Sequence, residues 1–538
     1  MRRKIHLVSL ILLAFLAAQS CKVFKGKAPD FIFLVTLDTT RADFVRYAEA
    51  DNKLTPNLGR LAKQGVYFDN AYCLIPITLP SHASIMYSLP PHVLKIYNNS
   101  QPKDVAQPSL AEIMKSKGYY TAAVISLGVL KAEYGLGKGF DQYIENFRPF
   151  FWYRNAAEVS RDAEKLVEEV AGKHQKAFFW LHYSDPHEPY YPPYFQGNFT
   201  ISFNDQQVFQ SKSTEQPLVE LTVKLPPGES QLNLHSEIPW EVTKSKRIDI
   251  GYFTYFNLAI KSDEKPQDLK VVLPKRWKEV KINDKFNYYS RQTDSSIRLI
   301  NTGKQAIETK VRFLYRMMER PQSRKALYRK EIRFMDKEFG AFIDYLKKKN
   351  LYDRCVFVVM GDHGEGLGEY NRHYGHIHYL YKIYTRVPLL LFGRGINERG
   401  QRPEVVSNLN IAPTILDLAG IKKPAFMRGD TLLKPIPKKR LLLETYSPEA
   451  YFDEFSLIDF PYQVLFHPGR TENKIEYVNL EKDLLGLTNI EAEIKDSKFK
   501  GNLLAEILKI SRILTATKGK IANVSERHQE ILNSLGYL

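Results

Sequence analysis

The stretch G-D-H-G-E-G-L-G-E, which begins at Gly361, sets a carboxylate and an imidazole side by side at Asp362 and His363. Its glycines let the backbone turn sharply and approach a ligand closely. Carboxylate with imidazole is an ordinary donor set for Zn2+ or Mn2+ and a less usual one for Ca2+, which takes oxygen shells. L-D-T-T-R-A-D offers a further acid, Asp38, whose plain reading by itself is a turn or capping residue. Y-S-D-P-H-E-P-Y-Y-P-P adds Asp185 and His187 in a loop stiffened by its prolines. R-H-Y-G-H-I-H-Y supplies His373, His376 and His378, and one or two of these belong to the surface. T-L-P-S-H-A-S-I, residues 78–85, reads in two ways. Pro80 and Ser81 suit a helix entry without chemistry. The same entry leaves free N–H groups and a positive dipole end, which favour an anion and help to stabilise an alkoxide on Thr78. A coordinated metal would lower the hydroxyl pKa further.

These residues need elements that bring them together. F-I-F-L-V-T-L, residues 31–37, is apolar without alternation, which predicts a strand buried on both faces of a parallel sheet and ending on Asp38. A-F-F-W-L-H-Y-S ends on Asp185 in the same way, and C-V-F-V-V-M ends at Gly361 and Asp362. The acids and histidines therefore collect at the carboxyl ends of strands, where open α/β sheets bind ligands. Residues 155–174 carry Val159, Ala163, Leu166, Val167 and Val170 on one helical face, and residues 325–349 carry Ile332, Met335, Phe339, Phe342 and Leu346. Strand alternates with helix, so the core is α/β. Residues 196–319 show short alternating runs such as L-V-E-L-T-V-K-L, separated by P-P-G, N-D and T-G turns. They read as an inserted antiparallel β domain of the sandwich type, which divides the core into residues 30–195 and 320–437. Residues 438–538 read as a smaller α+β subdomain.

Several segments resemble the sulfatase family of the alkaline phosphatase superfamily when taken in order. They are L-D-T-T-R-A-D, T-P-N-L-G-R-L-A-K-Q-G-V-Y-F-D-N-A-Y, T-L-P-S-H-A-S-I, Y-S-D-P-H-E-P-Y, M-G-D-H-G-E-G-L-G-E, R-V-P-L-L-L-F, N-I-A-P-T-I-L-D-L-A-G-I and the terminal S-L-G-Y-L. The resemblance implies a mixed sheet flanked by helices and a metal held by Asp38, Asp362 and His363. It implies Thr78 as nucleophile and His187 and His376 near the ester, with His82 and Asp185 expected at the substrate. Sulfatases of this family carry C-x-P-x-R or S-x-P-x-R, whose first residue becomes a formylglycine aldehyde. Thr78 and His82 stand in those places, and oxidising a threonine gives a ketone, so no formylglycine is expected. Cys73 cannot substitute, because C-L-I-P-I lacks the spacing. A threonine nucleophile looks more like the relatives that cleave or transfer phosphoryl groups. Where the family has adjacent acids after the first strand, this chain has Asp38 and Thr39. That loss of an oxygen ligand points to Mn2+ or Zn2+ rather than Ca2+. A second metal on Asp185, His187 and His376 would mimic the two-metal phosphatases, but their wider ligand spacing is absent, so one ion is expected. The expected activity is hydrolysis of phosphate or phosphonate esters. The alternatives are a sulfuric ester hydrolase, an envelope phosphotransferase and a non-catalytic glycan-binding protein.

M-R-R-K followed by the apolar residues 5–18 predicts a secretory leader over residues 1–20, too short for a comfortable membrane span. Its end, A-Q-S-C, resembles the lipobox of bacterial lipoproteins and would leave Cys21 to carry lipid, with residues 21–29 as a linker. The expected location is the bacterial cell envelope or periplasm, anchored to a membrane. Cys73 and Cys355 are then too few for a disulfide framework, so apolar burial must hold the fold. The formal charge of +17 across 538 residues suits an anionic ester substrate, an envelope lipid or glycan, or an anionic membrane surface. No nucleic-acid-binding motif accompanies the charge, so no nucleic-acid partner is expected.

Overall fold

The structure, a computed structural model, describes residues 29–517 apart from 48–52, 101–103, 148–152, 174–175, 189, 191–197, 212–217, 238–251, 262–267, 273–277, 283–284, 291–293, 320–323, 372, 447–452 and 473. The leader, Cys21 and the terminal S-L-G-Y-L lie outside the described residues. An eight-stranded sheet forms the centre of the α/β part. Its strands are β1 (Phe31–Leu37), β2 (Val66–Tyr72), β3 (Tyr120–Val124), β4 (Gln142–Ile144), β5 (Ala177–Tyr183), β6 (Cys355–Gly361), β7 (Leu389–Gly393) and β8 (Gly400–Ser407). They lie in the order β8-β2-β7-β6-β1-β5-β3-β4. β7 alone runs against its neighbours; every other pairing is parallel.

The three central strands are the uninterrupted apolar runs, and every residue of β1, β5 and β6 is buried. Helices cover both faces, so neither side of these strands can be polar without a partner. Ile32, Leu34 and Trp180 point into one layer with the helix α1 (Thr78–Tyr87). Phe31, Phe33, Val35 and Leu181 point into the other, with α2 (Ala156–Ala171) and α3 (Arg324–Lys348). In that second layer Phe179, Phe33, Phe357 and Phe392 stack from strand to strand, with ring centroids 4.8, 4.7 and 4.7 Å apart. The ladder fixes the lateral register of β5, β1, β6 and β7, and with it the relative position of the residues that leave their carboxyl ends.

Between β5 and α3, the described strands from Asn198–Phe203 to Ile307–Glu319 form two five-stranded antiparallel sheets. Ile201, Leu232, Ile297 and Leu299 of one sheet and Val223 and Leu225 of the other are buried, as the alternating sequence requires. Farther on, Leu441–Thr445, Glu454–Asp459, Tyr462–Phe466 and Ile475–Asn479 make a four-stranded antiparallel meander. The helix Ser497–Thr517 packs on it through Leu503, Ile507 and Leu514. The meander is tied to the α/β part by Gln463 Nε2 donating to Leu380 O at 2.8 Å and Glu444 N donating to Leu74 O at 2.8 Å.

Candidate active site

Leu37, Tyr183 and Gly361 are register partners on three adjacent parallel strands. The chain therefore releases Asp38, Ser184 and Asp362 at one sheet edge. Asp38 N donates to Tyr183 O at 2.8 Å, and the next residue, Thr39, turns at φ 50°. That left-handed turn is uncommon for a β-branched residue, and it aims the Thr39 N–H at Asp362 Oδ1, 3.0 Å away. His363 N donates to the same oxygen at 2.7 Å. The Tyr328 hydroxyl donates to Thr39 O at 2.7 Å and accepts from Arg41 N at 2.9 Å, so α3 braces the turn. Gly364 has to be glycine here, because a Cβ would collide with the Ile383 carbonyl oxygen.

The donor atoms of Asp38, Asp362 and His363 lie within 4.8 Å of one another, and all three residues are fully buried. Asp38 Oδ1 and Asp362 Oδ2 have no hydrogen-bond partner. Burial, followed by the charge of Glu365, pushes the Asp38 carboxyl well up; burial, followed by Asp38 itself, does the same to Asp362. Two buried acids with unpartnered oxygens are costly unless a cation lies between them. His363 Nδ1–H donates to Gly364 O at 2.9 Å, which leaves the Nε2 lone pair facing the same space. Two carboxylate oxygens and an imidazole nitrogen fit a divalent ion.

Thr78 is the first residue of α1. Its hydroxyl oxygen lies 3.2 Å from His363 Nε2, so the sheet edge and the helix entry meet at this oxygen. Ser81 Oγ anchors the helix by donating to Asp362 O at 2.7 Å. On the other side the His376 ring lies tilted 4.4 Å from the His363 ring, and His187 lies edge-on 5.4 Å from His376. Burial pushes both outer rings down to about 3, so they are neutral imidazoles. His376 Nδ1 lies 3.4 Å from Glu365 Oε2, whose carboxyl burial pushes up to about 8.

His82 and Asp185, expected at the substrate, each give one polar atom to the protein and leave another, His82 Nε2 and Asp185 Oδ2, buried without a hydrogen-bond partner. His82 sits one helical turn after Thr78, so its Nδ1–H donates to Thr78 O at 2.8 Å while its ring lies against Trp180 and His182. It supports the cluster, 3.6 Å from Asp362 Oδ2. Asp185 Oδ1 accepts from Ala156 N at 2.9 Å and so braces the start of α2. His373 Nδ1 is 3.1 Å from the Tyr384 hydroxyl and its ring packs on His378, away from the three-histidine row.

Two residues escaped the sequence reading. His182 Nε2–H donates to Asp38 Oδ2 at 3.1 Å; the available signal was one imidazole inside a strand apolar on both faces. Asn99 Oδ1 accepts from Leu79 N at 2.9 Å, and its buried Nδ2 has no hydrogen-bond partner. No spacing rule leads from α1 to Asn99, because a loop and a short helix intervene.

Comparison with known proteins agrees with this geometry. The family model described as Sulfatase matches residues 30–421, and that of the N-sulphoglucosamine sulphohydrolase C-terminal region matches residues 368–510. An N-acetylglucosamine-6-O-sulfatase of Bacteroides thetaiotaomicron is 22% identical over 447 residues, covering 79% of this chain and 74% of that protein. A sulfatase of Formosa agariphila is 23% identical over 448 residues, covering 79% and 75%. Among solved structures, one in complex with its substrate D-glucosamine-2-N,6-O-disulfate superposes with a TM-score of 0.57 at 15% identity, covering 92% of this chain and 100% of that one. The lipoteichoic acid synthase of Listeria monocytogenes does so with a TM-score of 0.51 at 16% identity, covering 90% and 91%. At these identities the structural matches establish the fold.

Proposed function

Because the chain belongs to the sulfatase family, metal-dependent hydrolases acting on ester bonds, we propose that it cleaves phosphate or phosphonate esters with Thr78 as nucleophile. The observation that carries this is the Thr78 hydroxyl at 3.2 Å from His363 Nε2, at the mouth of the Asp38, Asp362 and His363 cluster. Asp38 Oδ1, Asp362 Oδ2 and His363 Nε2 would hold one Mn2+ or Zn2+ ion. The ion would supply positive charge that lowers the hydroxyl pKa and neutralises an ester oxygen.

Thr78 Oγ1 gives up its proton to solvent as the substrate binds and attacks phosphorus in line; the Oγ1–P bond forms as the bond to the leaving oxygen breaks, giving a phosphothreonine. His376 or His187 passes a proton to the departing oxygen. Burial keeps both rings neutral, but an anionic ester beside them favours the imidazolium, so substrate brings its own acid into play. Asn99 Nδ2 offers a hydrogen bond beside the first turn of α1, whose N–H groups favour an anion. Water or a second alcohol then attacks the phosphothreonine and restores Thr78. The residue type argues against the aldehyde route, because a secondary alcohol can be oxidised only to a ketone.

Sulfate esters are the second reading, favoured by the names of the sequence relatives. The test is turnover of matched aryl phosphate, phosphonate and sulfate esters with Mn2+, Zn2+ or Ca2+, alongside intact mass of Thr78. Preferred cleavage of phospho-esters with an unmodified threonine supports the proposal. Preferred sulfate cleavage overturns the substrate class, and no turnover with any metal returns the chain to the binding reading. The proposal extends to a lipid-anchored envelope location, on the basis of the basic and apolar leader and A-Q-S-C. Mass spectrometry showing an unmodified Cys21 in the mature chain would remove the anchor.

A further inference from the structure

Asp38 and Asp362 are held by different devices. Asp362 Oδ1 takes two backbone N–H groups, from Thr39 at 3.0 Å and His363 at 2.7 Å, which leaves Oδ2 for the site. Asp38 takes its donor from a side chain on the neighbouring strand, His182 Nε2 at 3.1 Å from Oδ2. The strand register makes this reach. His182 pairs with Thr36 across β1 and β5, two residues short of Asp38, and points into the same layer as Trp180 and α1. An ionised carboxylate only accepts, so Nε2 carries the hydrogen and Nδ1 the lone pair. The Ser126 N–H donates to that lone pair at 3.4 Å, and Ser126 Oγ lies 2.7 Å from it. The Ser184 hydroxyl, 2.8 Å from Ser126 Oγ, closes the chain. Ser126, His182 and Ser184 are all buried, so water does not compete for these hydrogen bonds.

We propose that His182, its tautomer fixed by Ser126, is a positioning residue that occupies Asp38 Oδ2 and thereby keeps Asp38 a one-oxygen metal ligand through Oδ1. With both carboxylates restricted to one oxygen each, the cluster presents few donors. That suits a small ion of low coordination number and disfavours Ca2+, which collects six to eight oxygens and often takes a carboxylate through both. The inference rests on reading the cluster as a metal site. It adds that the selectivity is set from β5, by a residue that touches neither ion nor ester.

The test is calorimetric titration of the chelator-stripped full chain with Zn2+ and with Ca2+. His182→Gln can still carry an N–H to Asp38 Oδ2, whereas His182→Asn falls short of it and His182→Phe fills the volume without a donor. Loss of a partner behind a metal ligand typically costs about 10- to 100-fold in affinity. His182→Phe and His182→Asn should lose that for Zn2+ while Ca2+ affinity holds or rises, and His182→Gln should recover Zn2+ to within several-fold. Ser126→Ala should move Zn2+ affinity in the same direction by less. If His182→Phe does not fold, the difference between Gln and Asn decides. Unchanged Zn2+ affinity in the Asn or Phe variant overturns the proposal, as does an equal loss for both ions in all three variants. If the wild type binds no divalent ion, the metal reading itself fails; if it binds and the variants match it, only the role of His182 fails.

Discussion

Replacing Asp362 with Asn should raise the stability of the metal-free protein and remove its response to metal. The donor atoms of Asp38 and Asp362 lie within 4.8 Å, both residues fully buried. At an effective dielectric of about 20, two unit charges roughly 5 Å apart repel by about 3 kcal/mol, the upper limit of what the substitution relieves. Asn can keep an acceptor at Oδ1 for the Thr39 and His363 N–H groups, so the turn survives. For a chain of this size about 3 kcal/mol corresponds to a rise in Tm of roughly 3 °C in chelator. In the wild type, free ion at a hundredfold above its Kd adds about 2.7 kcal/mol. The variant, with an amide where Oδ2 was, should add close to nothing. Thermal unfolding of both proteins, in chelator and across a Mn2+ or Zn2+ titration, should give curves that cross: variant above wild type without metal, below it with metal. A variant less stable than wild type in chelator, or stabilised by metal as much as wild type, would refute the electrostatic reasoning.

Thr78→Val keeps the β-branch and loses one hydrogen bond, worth about 1 kcal/mol, yet should lower turnover about 10⁴-fold. Thr78→Ser should retain measurable turnover, and more than a tenth of wild-type activity in the Val variant would exclude Thr78 as nucleophile. Burial pushes the Asp185 carboxyl from 3.8 up to about 7. The folded state therefore holds a proton that the unfolded chain releases, and this contribution is full below about pH 4 and lost as pH rises through 7. Asp185→Asn keeps the acceptor for Ala156 N and should flatten the fall in Tm between pH 4 and 7; an unchanged slope counts against it. Arg41 is buried, paired with Asp43 and Glu369 at 2.8 Å each. Arg41→Met leaves both acids without it and should cost about 3 kcal/mol, read as a lower Tm with and without metal.

The central strands were legible to the residue because burial on both faces writes itself as an unbroken apolar run. β1 begins and ends where F-I-F-L-V-T-L does, and β5 and β6 carry the other two runs. α2 and α3 came from their apolar stripes, with ends shifted by a few residues at most. Asp38, Asp362, His363 and Thr78 were legible because each stands at the end of a strand or the start of a helix. His82 was placed by its motif; helical geometry puts its Nδ1–H on the carbonyl one turn back, at Thr78, and leaves its buried Nε2 without a hydrogen-bond partner. Asp185 was placed by its position after a strand; its Oδ1 accepts from the start of α2 and its Oδ2 is buried without a hydrogen-bond partner.

What sequence could not carry is the division of labour within a carboxylate. Asp38 and Asp362 are the same residue type at equivalent strand ends, and nothing in either motif says which oxygen faces the protein. For Asp362 the answer lies in the φ of Thr39, a backbone angle, and in the N–H of the next residue. For Asp38 it lies in the register between β1 and β5, which sets His182 beside the one and Ser126 behind the other. Register is a property of two segments far apart in the chain, stabilised here by the Phe179, Phe33 and Phe357 stack on the opposite face of the sheet. A slip of one residue between these strands would turn His182 to the opposite face and deliver an apolar side chain to Asp38. The aromatic ladder therefore contributes to a site it never touches: by fixing that register, it decides which oxygen of Asp38 accepts from His182.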